Sequence, residues 1–252
     1  MQKTESGYRF SATDLAKYLS CNYAIRLDKE VKDGIRGEPS FTDPHYFTVK
    51  ELGLEHEKRY VQHLKNKGLK VTELKDEGEQ QIRVARTIQA MHEGYDIIVQ
   101  AALEGPIWNG FADILKKVPT PGKFGDWSYE VMDTKLGQET KAGAVLQLCV
   151  YSDLLTSVQE VSPKNMYIVK PGDPFDEEPL RYNDYAAFYR WIKGKLETAL
   201  PSIETESKYP DPVPYCETCR WWSVCDKRRR ADDHLSFVAG LHASHTKELQ
   251  SQ

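Results

Sequence analysis

The stretch YEVMDTKLG, residues 129–137, constrains the fold most strongly because it places two charges in an apolar, strand-like run. Side chains alternate along a β-strand, so Asp133 and Lys135 share one face and Thr134 points the other way. A metal-binding carboxylate beside a cation that can orient a nucleophilic water is what phosphodiester hydrolysis requires. A single D-x-K triplet also arises by chance, so the hypothesis depends on further residues elsewhere in the chain.

Strand-like runs surround this stretch. Three of them follow one another at 96–104, 107–118 and 127–136, and a fourth occupies KNMYIVKP, residues 164–171. Gly105 and Pro106 separate the first two, which predicts a hairpin. The fourth follows a predicted helical crossover at 139–157, so we expect it to run parallel to the third.

Helical periodicity appears on both sides of the strands. Ser11 and Asp14 form a capping box at the start of a predicted helix, and Gly68 and Gly94 are expected to end two others. The predicted helices are 11–20, 49–68, 81–93, 139–157 and 182–199. Together with the strands they predict an α/β fold, a mixed central sheet flanked by helices. The segments expected are 1–48, a core at 49–205, a cysteine segment at 206–231 and a tail at 232–252, which could begin a further domain.

Composition narrows the class of protein. Of the 252 residues, 40% are hydrophobic and 29% charged, which is typical of a globular protein. No apolar run reaches the roughly 18–20 residues of a membrane helix, and the N-terminus lacks a signal-peptide core, so we expect a cytoplasmic protein. The net charge of −4 does not indicate nucleic-acid binding. The basic run 227–230 is equally compatible with a DNA-binding patch and a solvated helix end.

Four residues outside the D-x-K triplet have the types a hydrolytic site needs. Asp113 interrupts the apolar run GFADIL on the preceding strand. It could be a turn or edge acid, but its apolar flanks favour a buried carboxylate that must be paired or ligated. His56 lies in GLEHE on the helix 49–68, where a structural histidine is the usual alternative. Gln147 and Tyr151 are four residues apart and share one helix face.

The chain therefore carries, in this order, a histidine on a helix, an aspartate on a strand, D-x-K on the next strand and Q-x-x-x-Y on a helix. This order resembles the RecB branch of the P-D…(D/E)-x-K nuclease superfamily. The resemblance covers roughly residues 10–241. Ala112 stands where the superfamily's proline would be, a departure common in that branch. A restriction-endonuclease-like core is therefore expected, with His56, Asp113, Asp133 and the Thr134 main-chain carbonyl binding Mg²⁺ or Mn²⁺.

The resemblance also implies roles for the remaining residues. Lys135 would orient the attacking water, while Gln147 and Tyr151 would face DNA and support the site. The implied reaction is hydrolysis of single-stranded DNA from an end, leaving 5′-phosphate and 3′-hydroxyl products. In the most similar group this module heads a longer chain with a ribonuclease-H-like domain, sometimes with a helicase.

Three cysteines with the spacing C-x2-C-x5-C, Cys216, Cys219 and Cys225, predict a metal centre. A fourth ligand is needed, and Cys21 or Cys149 could supply it. Cys149 lies in an apolar stretch typical of a core residue, so Cys21 is the better candidate. Spacing alone leaves structural Zn²⁺ open.

One cysteine far upstream and three downstream resemble the iron–sulfur nucleases, including CRISPR-associated RecB-like exonucleases. The resemblance implies a [4Fe-4S] cluster that joins the N- and C-terminal segments. Trp221 and Trp222 could stack on single-stranded bases, although shielding of the cluster is favoured. Two other functions remain open: an iron–sulfur DNA-binding or assembly module serving a partner nuclease or helicase, and a zinc-stabilised scaffold without nucleic acid.

Overall fold

The computed structural model of the protein describes residues 1–5, 7–40, 44–74, 77–202 and 209–241. These residues form eight strands, seven α-helices and two 3-10 turns. The strands are β1 Gln2–Thr4, β2 Gly7–Ser11, β3 Val71–Glu73, β4 Ile97–Glu104, β5 Trp108–Val118, β6 Ser128–Thr134, β7 Asn165–Lys170 and β8 Asp176–Arg181. The helices are α1 Ala12–Ser20, α2 Asn22–Lys32, α3 Pro44–Asn66, α4 Gln80–His92, α5 Ala142–Gln159, α6 Tyr182–Ser202 and α7 Trp222–Ala231. Pro214–Thr218 and Leu235–Phe237 are the turns.

The chain divides into two compact units. Unit 1 comprises Met1–Ala16 and Asp43–Glu197, and unit 2 comprises Lys17–Thr42 and Thr198–Gln252. All eight strands belong to unit 1. Of the predicted tail 232–252, residues 242–252 lie outside the described part of the chain. Among the described helices, none combines the length and apolar character needed to cross a membrane.

The long strand β5 organises the mixed sheet of unit 1. It pairs antiparallel with β4 along one edge. Two strands share the other edge of β5. β2 pairs parallel with the start of β5, and β6 pairs antiparallel with the end of β5. Beyond β6 the sheet continues with β7, which is parallel, and β8, which is antiparallel. The predicted hairpin and the predicted parallel strand are both confirmed, as is the α/β class, and the arrangement is consistent with a restriction-endonuclease-like core.

Helix α3 covers one face of this sheet through its apolar side. Tyr60, Val61 and Leu64 recur at helical spacing and are buried. They pack on alternating strand residues, namely Ile97, Val99, Ile114, Met132 and Val169. Burial of this apolar stripe fixes α3 over β4–β7 and so determines what the rest of the helix can reach.

The predicted helix boundaries are largely confirmed. The capping box forms, since the Ser11 N–H donates to Asp14 Oδ2 at 2.8 Å and the Asp14 N–H donates to Ser11 Oγ at 3.3 Å. Gly68 and Gly94 adopt positive φ angles of 78° and 65° just past α3 and α4, as stop residues do. Helix α3 begins earlier than predicted, α5 begins at Ala142 rather than 139, and β6 ends at Thr134, so Lys135 follows the strand.

Five elements have no counterpart in the sequence-based prediction: α2, β1, β2, β3 and β8. The strands among them are short or polar. β8, with the sequence DEEPLR, lacks an alternating apolar pattern and carries a proline, which is tolerated at a sheet edge. Its pairing with β7 therefore depends on the neighbouring strand rather than on its own periodicity.

Candidate functional site

The two aspartates predicted to form a metal site lie opposite each other on neighbouring strands. The β5–β6 register pairs Ile114 with Met132, so the next residues along, Asp113 and Asp133, face each other. Asp113 is half-buried and Asp133 is only 4% exposed. The Thr134 N–H donates to Asp113 Oδ2 at 3.2 Å. The end of β6 thus brings both carboxylates and the Thr134 backbone to one place.

Asp133 carries an incompletely neutralised charge. Burial raises its pKa to about 7, the negative charge of Asp113 adds to the rise, and Lys135 opposes it. Lys135 Nζ lies 2.6 Å from Asp133 Oδ2. Apart from this ion pair, Oδ2 has no hydrogen-bond donor among the described residues. A buried acceptor of this kind, facing a second carboxylate, fits a divalent cation that prefers oxygen ligands.

Lys135 follows β6 directly and places its ammonium beside Asp133. Burial alone would lower the pKa of its ammonium, but the ion pair with Asp133 outweighs burial and leaves the pKa raised. The group therefore stays protonated at neutral pH. Its backbone N–H donates to the Val169 carbonyl at 3.0 Å, which holds the residue in place beyond the strand end. Lys135 also lines a solvent-open cavity of about 470 Å³ together with Gln147.

His56 reaches the same strand end from α3. It is buried, and its Nε2 lies 3.1 Å from the Val169 carbonyl oxygen, which also accepts from Lys135. A carbonyl only accepts, so Nε2 carries the hydrogen and Nδ1 keeps the lone pair. Within the described ranges, no three His, Cys, Asp or Glu side chains form a group ready to hold a metal ion. The structure therefore brings His56 close through Val169, without direct contact to either aspartate among the described residues.

Gln147 and Tyr151, the two residues predicted to support the site, both project from α5. Burial raises the pKa of the Tyr151 phenol, and the charges of Asp113 and Asp133 add to the rise, so the ring lies near both acids. Gly110 on β5 makes this possible, because a Cβ atom there would lie 2.6 Å from Tyr151 Cε1. Gln147 Nε2 donates to Thr13 Oγ1 at 3.5 Å.

Two further polar residues belong to this neighbourhood and were not predicted from the sequence. Glu57 follows His56 on α3, and Gln100 Nε2 donates to its Oε1 at 2.7 Å. Burial raises the pKa of Glu57, the nearby charge of Asp113 also raises it, and Lys135 lowers it. Two sequence signals could have identified them: a second acid in GLEHE, and a glutamine that interrupts the apolar run IIVQAAL.

The four cysteines predicted as ligands line one small space in unit 2. Cys21 precedes α2, Cys216 lies in the turn Pro214–Thr218, Cys219 follows that turn and Cys225 lies in α7. Burial raises the pKa of Cys21 and Cys219, and that of Cys225 to about 11. Cys149 instead lies in the core of unit 1, with its Sγ 3.9 Å from Met166 Sδ.

A buried arginine accompanies the cysteines. Arg229 is 3% exposed and donates to the Pro210 carbonyl at 3.4 Å, and its charge lowers the pKa of Cys21 and Cys225 against the effect of burial. Its Nε has no hydrogen-bond partner, and no carboxylate in the described ranges pairs with it. The basic run 227–230 is therefore not simply a solvated helix end. Trp221 is buried beside the cysteines, whereas Trp222 is 49% exposed.

Comparison with known families decides the superfamily. The sequence profile of the PD-(D/E)XK nuclease superfamily matches residues 9–226. The chain belongs to this superfamily. The match runs from within β2 into α7 and includes the described aspartates, His56, Lys135 and the four cysteines, but not Arg229. A search of curated protein sequences finds no match. Superfamily membership implies a nuclease, and PD-(D/E)XK nucleases usually use Mg²⁺ or Mn²⁺.

Proposed function

We propose that this PD-(D/E)XK protein is a RecB-like deoxyribonuclease that hydrolyses single-stranded DNA from an end and leaves 5′-phosphate and 3′-hydroxyl products. One observation carries the proposal: Asp133, almost fully buried, faces Asp113, and apart from its ion pair with Lys135 its Oδ2 has no hydrogen-bond donor among the described residues. Burying two adjacent carboxylates is unfavourable unless a cation binds them. The preference for single strands and ends is supported by the resemblance to the RecB branch.

The residues divide the chemistry between them. Asp113, Asp133 and the Thr134 carbonyl would hold Mg²⁺ or Mn²⁺, with His56 contributing Nδ1. When bound, such an ion supplies Lewis-acid activation of the phosphate and of water. Lys135 keeps its proton through the ion pair with Asp133, so it can hold the attacking water by its lone pair and balance the charge that develops on phosphate. Tyr151 and the backbone of β5 keep the aspartates in position.

The cavity beside Lys135 suits a nucleic-acid strand. Its lining combines Lys135, Lys141 and Gln147, which can donate to phosphate, with the apolar side chains of Val49 and Leu136. Phosphate contacts from lysine position a strand without reading its sequence, while apolar walls accommodate sugars and bases. This lining supports sequence-independent binding.

A cleavage assay tests the nuclease proposal. End-labelled single-stranded DNA is incubated with the protein in Mg²⁺, Mn²⁺ or EDTA, and a circular single strand tests the need for an end. We expect metal-dependent release from linear DNA only. Lys135→Ala should slow hydrolysis by about 10³-fold, or about 4 kcal/mol. The exposed Lys123 is the matched control and should be neutral when changed to Ala. Unchanged cleavage by Lys135→Ala would refute the site assignment.

We also propose that Cys21, Cys216, Cys219 and Cys225 hold a [4Fe-4S] cluster, with structural Zn²⁺ as the alternative. The donor set supports a thiolate-bound metal, and deprotonated thiols would balance the charge of buried Arg229. Iron, sulfide and zinc analysis of protein purified without oxygen distinguishes the two metals. Cys219→Ser should lose the metal and Cys149→Ser should retain it. Retention of full metal content by Cys219→Ser would contradict this proposal.

The second candidate is an iron–sulfur module that binds DNA for a partner nuclease or helicase. The four cysteines that line one small space, with the buried Arg229 nearby, favour this candidate. Tight binding of single-stranded DNA with no cleavage in any divalent metal would support this function over the nuclease.

A further inference from the structure

We infer that Glu57 is a third carboxylate ligand of the divalent cation held by Asp113 and Asp133, and that Gln100 positions it. The inference rests on the proposed nuclease function and adds a residue to its metal site. Glu57 lies on α3 directly after His56, so the same helix turn that delivers the histidine also presents this acid.

The sheet register brings Gln100 to Asp113. β4 and β5 pair Val99 with Ile114 and Ala101 with Ala112, so Gln100 and Asp113 lie at the same level of the two strands, between these pairs. Gln100 then donates from Nε2 to Glu57 Oε1 at 2.7 Å. The amide therefore connects Glu57 to the position of Asp113.

The backbone of Gln100 is unusual for a strand residue. Its φ angle is 57°, in the left-handed region that non-glycine residues rarely adopt. Such conformations persist only where the surroundings enforce them and often accompany functional sites. Here the conformation accompanies a side chain that fixes Oε1 of Glu57, while Oε2 has no hydrogen-bond partner among the described residues.

The charges at this place favour a cation. Asp113, Asp133 and Glu57 supply three carboxylates, whereas Lys135 supplies one ammonium. Asp133 Oδ2, in a side chain more than nine-tenths buried, has no hydrogen-bond donor among the described residues. Glu57 and Gln100 also line a solvent-open cavity of about 540 Å³, which gives a hydrated ion access to Glu57. A Glu57 that only braced Gln100 would not require this access from solvent.

Direct Mn²⁺ binding tests the inference independently of catalysis. Calorimetric titration of the full chain compares the unmodified protein with Glu57→Gln, Asp133→Asn and Glu55→Gln. Glu55 is exposed on the same helix, so its variant is matched in charge and position along α3. We expect Glu57→Gln to weaken Mn²⁺ binding about 10–100-fold. Glu55→Gln should bind as the unmodified protein does.

The outcomes separate the two proposals. Weakened binding by Asp133→Asn together with unchanged binding by Glu57→Gln would overturn the role of Glu57 and leave the nuclease proposal intact. Unchanged binding by both variants would overturn both.

A second variant covers the case in which Glu57→Gln fails to fold. Gln100→Asn keeps a residue that tolerates positive φ but shortens the side chain, so the hydrogen bond to Glu57 is lost. We expect several-fold weaker Mn²⁺ binding with an unchanged unfolding midpoint. Binding equal to that of the unmodified protein would contradict the positioning role of Gln100.

Discussion

Two buried aspartates, one in each unit, differ in how their charges are balanced. Asp28 of unit 2 and Asp133 of unit 1 are both 4% exposed. Asp28 accepts from Trp221 Nε1 and from Arg220 Nη2, both at 2.7 Å, and pairs with Lys17. Burial alone would raise the pKa of Asp28, yet these partners leave it lowered. Asp133 faces another carboxylate, and its pKa is raised to about 7.

The difference shows that burial by itself does not mark a functional acid. Asp28 is surrounded by donors from distant parts of the chain, namely Lys17 in α1 and Arg220 and Trp221 just before α7. Its charge therefore joins these segments to α2. Asp133 has one cation and one like charge, so its charge is available to a ligand. The first arrangement stabilises the folded state, and the second fits the metal site proposed above.

The largest effect expected is from Asp28→Ala. The change leaves Lys17 and Arg220 without their buried partner, which should lower the free energy of unfolding by about 3–5 kcal/mol. Urea denaturation measures the loss, and hydrogen exchange of residues 17–40 locates it. Asp232→Ala, which removes an exposed acid, should cost less than about 0.5 kcal/mol. Equal effects of the two changes would refute the structural role of Asp28.

Whereas Asp28 stabilises the fold through its own ion pairs, Asp133 should stabilise the fold only when a metal ion is bound. Mn²⁺ at about 100 times its dissociation constant should raise the free energy of unfolding by about 2.7 kcal/mol, because only the folded chain presents the site. Thermal unfolding with and without Mn²⁺ measures the gain. Asp133→Asn should show none of it, and a gain preserved in that variant would place the cation elsewhere.

Adding a methyl group at Gly110, where β5 packs closely against Tyr151, should lower the free energy of unfolding by a smaller amount. A methyl group at Gly110 would collide with the Tyr151 ring, so Gly110→Ala should cost about 1–3 kcal/mol and slow any cleavage. Gly194 in α6 has open space at the same position, so Gly194→Ala should be neutral or slightly stabilising. Denaturation of both variants tests the contrast, and no loss at Gly110 would show that Tyr151 can move aside.

The smallest effect concerns pH. A carboxyl whose pKa is raised in the folded state binds its proton more tightly there, so stability falls as the pH rises from about 4 toward 7. Without metal, Asp133→Asn should therefore gain about 1–2 kcal/mol at pH 8, and the gain should vanish near pH 4. Denaturation across this range measures it, with the exposed Asp126→Asn as control. A loss of stability at pH 8 would contradict the assignment.

Much of unit 1 could be predicted because its signals are local. The runs around Asp113 and Asp133 alternate or stay apolar over strand lengths, and the GP break marks the hairpin, so the order β4–β5–β6 followed from short windows. The superfamily was also predictable, because the order of His, Asp and D-x-K survives in the linear sequence. β8 was not predicted because its sequence lacks alternating apolar residues and its strand conformation depends on pairing with β7.

The amino-acid sequence by itself determined which chemical groups are present, where the central strands β4–β7 and most of the helices form, and that Asp133 and Lys135 share one side. Only the tertiary structure decided that Gln100 lies level with Asp113, that Gln100 binds Glu57, and that Cys21 meets cysteines nearly two hundred residues away. It also decided which buried aspartate is balanced and which is not. The reason is physical: register, burial and the field of neighbouring charges arise from contacts between distant segments, and no local pattern records them.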